Sequence, residues 1–259
     1  MPTKAGQAGR DQGAGRPATQ RPLTLSAANA YIQRTIWGQL MTDFTLARRN
    51  MVDGQLRPNR VTSAPLLAAI GELPRERFLS DALRSVAYSD EDVPLGNGRF
   101  LMEPMVLARL IQTLQPRADD RALVVASGRG YGAALLARLV KSVVAVESDP
   151  KLAGSADQTI KELGVGNVTR VAGKLEDGAP GTAPYDVILI EGAVRQIPQA
   201  ILDQLAEGGR LATVLAGLPG ALGVAQLVLK QGGVTSGRPL FDAGTPALPG
   251  FAPPPRFTF

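Results

Sequence analysis

Short apolar runs alternate with helical segments from residue 121 to residue 215, and this alternation limits the possible folds more than any other feature of the sequence. It is typical of βαβ units, in which helices cover both faces of a parallel sheet. The apolar runs predict strands at 122–126, 143–147, 168–171, 186–190 and 210–215. The segments between them predict helices near 132–140, 151–163 and 197–205. The expected fold class is therefore α/β, with a doubly wound, mostly parallel sheet.

Two later runs, 223–229 and 237–241, have no crossover helix between them and are joined through Gln231-Gly232-Gly233. A connection of this kind predicts an antiparallel pair at the edge of the sheet.

The remaining segments are separated by composition. Residues 1–40 are rich in Gly, Ala, Gln, Pro and Thr and lack an apolar period, which predicts a disordered basic extension. We expect a helical region at 41–118, the α/β domain at 119–243 and an extended, Pro-rich tail at 244–259. Because Met41 opens a helical pattern, a true start at either Met1 or Met41 stays open.

The chain contains no cysteine and no histidine. Disulfides, cysteine nucleophiles and thiolate or imidazole metal sites are therefore excluded, and so is a Ser-His-Asp triad. General base chemistry would need a carboxylate, Lys or Tyr with a shifted pKa. We expect a reaction that needs little proton transfer, and we predict no metal site.

The formal net charge of +5 is concentrated near the N-terminus. Residues 1–40 hold five basic residues and only one acidic residue, so the rest of the chain is nearly neutral. This distribution argues against a nucleic-acid partner. We also expect no membrane partner and a cytoplasmic location, because no apolar window is long enough to span a bilayer and the N-terminus has no secretory pattern.

A small-residue loop follows the first predicted strand and opens a helix. Gly128, Gly130 and Ala133 formally match the dinucleotide fingerprint, in which backbone N–H groups approach a ligand closely. Glu147 ends the next strand, 19 residues after Gly128, where a carboxylate accepts hydrogen bonds from ribose hydroxyls. The pattern favours an adenosine-containing ligand, either a dinucleotide or S-adenosylmethionine. A tight turn beside a solvated glutamate is the simpler alternative.

The sequence around this loop resembles the protein-L-isoaspartate O-methyltransferases. The resemblance covers about residues 41–216 and rests on motifs in the family's order and spacing. These motifs are 123–134, Glu147, Ala183-Pro184-Tyr185-Asp186-Val187-Ile188, Gly208-Gly209-Arg210-Leu211 and, upstream, Pro74-Arg75-Glu76-Arg77-Phe78 and Asp92-Val93-Pro94-Leu95. The resemblance implies a Rossmann-like, class I S-adenosylmethionine-dependent methyltransferase preceded by a helical substrate-binding region.

The activity that the resemblance implies is protein repair. A methyl group passes from S-adenosylmethionine to the carboxylate of an isoaspartyl residue in a damaged protein or peptide, and the ester then collapses through a succinimide towards aspartate. The implied partner is a protein or peptide carboxylate, and the chain gives no indication of its oligomeric state. Methyl transfer to an ionised carboxylate suits a chain without histidine, since alignment of donor and acceptor is the main requirement.

Candidate site residues follow from these motifs. At the acceptor site the resemblance points to Arg99 and Met102. For the cofactor it points to Ser127, Gly128, Gly130, Tyr131, Glu147, Ser148, Lys174 and Leu175. Glu191 joins them because polar residues at strand ends face the crevice of a doubly wound sheet.

Several positions depart from the family pattern. The usual Gln-Thr-Ile-Ser-Gln-Pro reads Arg99-Phe100-Leu101-Met102-Glu103-Pro104, so Met102 stands at the serine position. Val124, Ala126 and Lys174 occupy positions where the family has an acidic residue, a glycine and an aspartate. Arg99 is interpreted either as a bidentate donor to the substrate carboxylate or as a solvated loop charge. Two functional alternatives remain: a catalytically degenerate homologue that binds proteins or senses a ligand, and an NAD-dependent oxidoreductase.

Overall fold

The computed structural model describes residues 43–218 and 221–251. The predictions for residues 1–40 and for the end of the tail, 252–259, lie outside the described residues. Within the described part, two strands form a hairpin and seven form one sheet. Their bounds are β1 Val93–Gly96, β2 Arg99–Leu101, β3 Arg121–Val125, β4 Ser142–Glu147, β5 Val168–Ala172, β6 Tyr185–Val194, β7 Leu205–Leu215, β8 Gly223–Gln231 and β9 Val234–Ala243.

The large sheet has the strand order β5-β4-β3-β6-β7-β8-β9. The pairs from β5 to β7 are parallel, whereas β7–β8 and β8–β9 are antiparallel. The predicted mostly parallel sheet with an antiparallel edge is therefore confirmed. The strand order reverses between the neighbouring strands β3 and β6, and ligands bind at such a position in open α/β sheets.

Helices cover both faces of this sheet. Their bounds are α1 Phe44–Met51, α2 Ala64–Glu72, α3 Pro104–Leu114, α4 Tyr131–Ala137, α5 Pro150–Glu162 and α6 Gln199–Asp203. The helix predicted at 197–205 is shorter than expected, because Leu205 already pairs with Tyr185 in the sheet. A strand therefore begins where the apolar spacing favoured a last helical turn.

The two faces of β3 supply two separate hydrophobic clusters. Ala122 and Val124 join the cluster that contains α2, α3 and α4, whereas Leu123 and Val125 join the cluster around α6. This division follows from the alternation of side chains along a strand. The helical segments before β3 share the first cluster with the sheet, through buried residues such as Met51 and Leu56. The four-part division of the chain stays a prediction.

Along the chain, the hairpin of β1 and β2 follows the N-terminal helices and precedes α3. Its turn, Gly96-Asn97-Gly98, has positive φ at all three residues, 99°, 50° and 70°. Glycine adopts such angles without strain, and asparagine tolerates them better than most residues. None of the helices in the described ranges combines the length and apolar character that a bilayer crossing requires.

Candidate functional site

The small-residue loop between β3 and α4 forms a tight turn. Ala126, Gly128 and Gly130 have positive φ, 65°, 55° and 92°. The Gly130 amide donates to the Ser127 carbonyl at 2.8 Å, which closes the turn. A Cβ on Gly130 would lie 3.0 Å from Ile160 Cδ1 and 3.2 Å from Ala156 Cβ. Glycine is thus required here by its backbone angle and by the close approach of α5.

Glu147, at the end of β4, anchors this loop. Its Oε2 accepts hydrogen bonds from the Gly128 amide at 2.7 Å and from Arg99 Nη2 at 2.8 Å. Its Oε1 accepts from the amides of Ser148 and Asp149 at 2.8 and 3.0 Å, and the Ser148 hydroxyl lies at 3.5 Å. The residue is only 1% exposed. Glu147 is therefore buried against the loop, and the solvated-glutamate alternative is wrong.

The β1–β2 hairpin covers the loop and Glu147. Leu95 reaches the glycine loop, since a Cβ on Gly128 would lie 2.9 Å from Leu95 Cδ1. Asn97 Nδ2 donates to Asp149 Oδ2 at 2.7 Å, and this amide is the main cause of the lowered pKa of Asp149. Arg99 completes the set from β2. Three alternate residues of one hairpin thus contact the cradle formed by the loop, Glu147 and Asp149.

Arg99 is buried, contrary to the interpretation of a solvated loop charge. It is 3% exposed, and burial lowers its pKa, whereas the neighbouring charges of Glu147 and Glu191 raise it. Of its guanidinium nitrogens only Nη2 has a partner; Nε and Nη1 are buried without one. A buried N–H without an acceptor costs free energy, so these two donors mark a place that an acceptor can fill.

Glu191 is the second unsatisfied group of this region. It is 4% exposed, and its Oε1 has no hydrogen-bond partner. Burial raises the pKa of Glu191 to about 8, against the opposing charge of Arg99. The carboxylate packs so closely against the start of α4 that a Cβ on Gly132 would overlap it. Arg99, Glu147 and Glu191 therefore form one buried cluster of ionisable side chains beside the glycine loop.

Gly132 offers a test of this packing. Replacing Gly132 with alanine is expected to lower the free energy of unfolding by about 1–3 kcal/mol, because the new methyl group overlaps the Glu191 carboxylate. The matched control is Gly154→Ala in α5, where nothing lies within 4 Å. That change should stabilise the protein by roughly 0.5–1 kcal/mol through backbone entropy. Urea denaturation of both variants measures the difference, and shifts of the same sign would show that the space beside Gly132 is not limiting.

The other predicted residues lie further into the protein or at its surface. Met102 is fully buried, and its carbonyl accepts from Arg75 Nη2 at 2.7 Å. Tyr131 is also buried, with the Phe78 ring at 5.3 Å and the Arg75 guanidinium 5.0 Å from its centroid. Lys174 is exposed. Leu175 packs in the cluster around α6.

Sequence reasoning missed the part of the C-terminal segment that borders the site. The Leu248 amide donates to the Ala193 carbonyl at 2.7 Å, and Leu248 packs so closely on Gly192 that a Cβ there would overlap it. Further along, a Cβ on Gly98 would lie 3.5 Å from Pro249 Cγ. The segment therefore passes from the end of β6 to the tip of the hairpin. The proline-rich composition gave no signal for these contacts.

Glu103, directly after the hairpin, titrates in an unusual range. Burial and the charges of Asp90 and Asp92 raise the pKa of Glu103 to about 7. The folded state therefore binds a proton more tightly than the unfolded chain, and stability falls as the pH rises from about 4.5 to about 7. Glu103→Gln is expected to raise the melting temperature at pH 8 and to change it little at pH 5. Asp119→Asn, at an exposed carboxylate, is the control; equal shifts at both pH values would contradict the expectation.

The family model and the similar curated proteins all point to one protein family. The family model of Protein-L-isoaspartate(D-aspartate) O-methyltransferases matches residues 47–235. The protein-L-isoaspartate O-methyltransferase 2 of Anaeromyxobacter sp. (strain Fw109-5) is 40% identical over 63% of this chain and 68% of its own length. The protein-L-isoaspartate O-methyltransferase 1 of Syntrophobacter fumaroxidans is 40% identical over 66% of this chain and 80% of its own length.

Solved structures agree with the sequence matches. One protein-L-isoaspartate O-methyltransferase has a TM-score of 0.69 at 25% identity, over 79% of this chain and 67% of that chain. A beta-aspartate methyltransferase structure from Plasmodium falciparum, in complex with S-adenosyl-L-homocysteine, has a TM-score of 0.66 over 78% of this chain and 98% of that chain. At 19% identity it supports the fold alone.

Proposed function

This chain belongs to the protein-L-isoaspartate O-methyltransferase family, and we propose that it transfers a methyl group from S-adenosylmethionine to the carboxylate of isoaspartyl residues in damaged proteins. The observation that carries the proposal is the cradle at the ends of β3 and β4. There the Gly128 amide donates to the Glu147 carboxylate at 2.7 Å, next to the position between β3 and β6 where strand order reverses.

The buried polar atoms around this cradle fit the cofactor. Glu147 supplies a carboxylate for the ribose hydroxyls, and the unpaired Ser127 Oγ, Arg99 Nε and Glu191 Oε1 leave capacity for further hydrogen bonds. Gly128 and Gly130 have positive φ values that strain any other residue, so the loop can make this tight turn and present its backbone to a ligand. We propose Ser127, Gly128, Gly130, Glu147 and Glu191 as the residues nearest the cofactor.

The remaining predicted cofactor residues have weaker support. The Ser148 amide holds Glu147, Tyr131 supports the start of α4, and Leu175 packs beneath the loop after β5. We propose that these three residues support the cradle from the side that faces away from the ligand. Lys174 is exposed, and we propose it only as a residue at the rim of the cofactor site.

The reaction makes few demands on the protein. S-adenosylmethionine, when bound, supplies an electrophilic methyl group on a sulfonium. The substrate carboxylate, already ionised at neutral pH, forms the new C–O bond while the C–S bond breaks and its electron pair returns to sulfur. The products are a methyl ester and S-adenosylhomocysteine, and no proton has to move. The chain's task is to hold the acceptor carboxylate in line and to exclude water.

Arg99 is the residue that we propose for orienting the acceptor. Its Nε and Nη1 lack partners, and a guanidinium binds a carboxylate through two parallel hydrogen bonds. Met102 occupies the family's serine position but is fully buried, so we propose that it packs the base of the hairpin.

A methyl-transfer assay tests the proposal. The full-length protein is incubated with methyl-labelled S-adenosylmethionine and an isoaspartyl peptide, and base-labile methyl ester is measured. The same peptide with aspartate at that position is the control. Ester on the isoaspartyl peptide alone is the expected result, and no ester on either peptide at saturating cofactor would contradict the proposal. That second outcome, with peptide binding retained, is what the degenerate protein-binding alternative predicts.

Two further expectations concern the setting of this activity. The cytoplasmic location predicted from the sequence is proposed here as the compartment of the substrates, and cell fractionation measures it. The chain's partners are proposed to be proteins or peptides and neither nucleic acid nor membrane.

A further inference from the structure

The carboxylate of Glu147 has no free capacity for a ribose in this structure. It accepts four short hydrogen bonds, two at each oxygen, which is the full capacity of a carboxylate. Three of the donors are backbone amides fixed by the glycine loop and by the start of α5. The fourth donor, Arg99 Nη2, belongs to a side chain. A ribose can bind Glu147 only by replacing one of these donors. Replacing Arg99 costs least, because the three backbone amides then keep their acceptor.

A displaced Arg99 needs another acceptor nearby. The residue is 3% exposed and sits on a hairpin pinned to the cradle by Leu95 and Asn97. A buried guanidinium without a partner is strongly destabilising. Before a substrate carboxylate is bound, either the hairpin opens or a second carboxylate inside the protein accepts the charge.

Glu191 meets that requirement. Its Oε1 is buried and without a partner, as are Arg99 Nε and Nη1, so an Arg99–Glu191 pair would satisfy donors and acceptor together. The two groups are electrostatic neighbours, since each acts on the other's ionisation. The other charged groups that act on Glu191 are Glu147 and Arg75. Arg75 has an unpartnered Nη1 of its own, but its hydrogen bonds to the carbonyls of Ala87 and Met102 hold it in place, so Arg99 is the cation that can move.

We propose that Glu191 is a positioning residue that receives the Arg99 guanidinium when the cofactor's ribose takes up Glu147. The inference rests on the proposed function and adds an exchange of partners to it. With Arg99 on Glu191, the hairpin stays closed over the bound cofactor.

A double-mutant cycle on the full-length protein tests this exchange. The dissociation constant of S-adenosylhomocysteine is measured by calorimetry for the wild type, Glu191→Gln, Arg99→Gln and the double variant. In the wild-type background Glu191→Gln is expected to weaken binding about tenfold, because Arg99 loses a carboxyl group that can ionise when the guanidinium pairs with it. In the Arg99→Gln background the same change is expected to alter binding less than about twofold, since no guanidinium has to be received.

Glutamine at position 99 is a matched replacement, because it is the residue usual in the motif that this hairpin resembles. It also frees Glu147, so Arg99→Gln alone is expected to bind S-adenosylhomocysteine at least as tightly as the wild type. An effect of Glu191→Gln that is equal in both backgrounds, or absent in the wild type, would overturn the inference.

Hydrogen exchange separates positioning from mere stability. In the wild type, S-adenosylhomocysteine is expected to leave the amides of residues 93–101 protected. In Glu191→Gln it is expected to expose them, while the ligand-free proteins exchange alike. Faster exchange of Glu191→Gln without ligand would assign Glu191 a structural role and overturn the inference. If neither the wild type nor any variant binds S-adenosylhomocysteine, both the proposed cofactor and this inference are wrong. If the ligand binds but the effect of Glu191→Gln does not depend on Arg99, only this inference is wrong.

Discussion

Replacing Glu147 with alanine is expected to lower the free energy of unfolding by about 3–5 kcal/mol, because it leaves a buried arginine without its carboxylate. The Arg99–Glu147 pair is almost fully buried, with side-chain exposures of 3% and 0%. The same change removes the acceptor of three backbone amides at the loop and at the start of α5. Binding of S-adenosylmethionine is expected to be lost with it.

Urea denaturation measures the change in stability, and an exposed ion pair provides the control. Glu162 pairs with Arg77 at the surface, with side chains 44% and 40% exposed. Glu162→Ala should change stability by no more than about 1 kcal/mol. A second variant, Glu147→Ala with Arg99→Met, should recover a large part of the loss, since no unpaired charge remains. Similar losses at residues 147 and 162 would show that burial of the pair contributes little.

The second large effect is expected at Arg75. This residue is fully buried and donates from Nε to the Ala87 carbonyl at 2.6 Å and from Nη2 to the Met102 carbonyl at 2.7 Å. It thereby ties the segment before β1 to the residue after β2. Arg75→Ala leaves a cavity and two buried carbonyls without donors, so a loss of about 3–5 kcal/mol is expected.

Two other arginine variants sharpen this prediction. Arg75→Lys keeps the charge but cannot donate in the planar fork of a guanidinium, so an intermediate loss is expected. Arg57→Ala is the surface control, because Arg57 and its partner Asp53 are each 59% exposed. Its effect should lie within about 0.5 kcal/mol. In thermal and urea unfolding, the loss of stability is expected to increase in the order Arg57→Ala, Arg75→Lys, Arg75→Ala. A different order would contradict the bridging role of Arg75.

The sheet could be predicted from the sequence because its signals are local. Buried parallel strands appear as short apolar runs, and each of the five predicted runs overlaps an observed strand, from β3 to β7. The antiparallel edge followed from the short glycine connection between β8 and β9. What local pattern could not show was the start of β7 at Leu205, since its pairing with Tyr185 is a tertiary contact that overrides helical spacing.

The site was predictable only in part. The glycine loop and Glu147 lie 19 residues apart on consecutive strands, so their meeting follows from the βαβ unit. Arg99 lies 48 residues before Glu147, and nothing in its local sequence indicates that it is buried against that carboxylate. The same holds for Leu248, which reaches Gly192 from outside the sheet. Long-range contacts of this kind depend on how separate elements pack, and the sequence pattern contains no direct signal for them.

Calorimetric titration of the full-length protein with S-adenosylhomocysteine is the most direct test of the claim that the cradle of Gly128 and Glu147 is a methyltransferase cofactor site. NAD serves as the competing ligand of the dinucleotide alternative. Saturable binding of S-adenosylhomocysteine with one site per chain, loss of that binding in a folded Glu147→Gln variant and no binding of NAD are the predicted results. No binding of S-adenosylhomocysteine, or binding that Glu147→Gln leaves unchanged, would contradict the account.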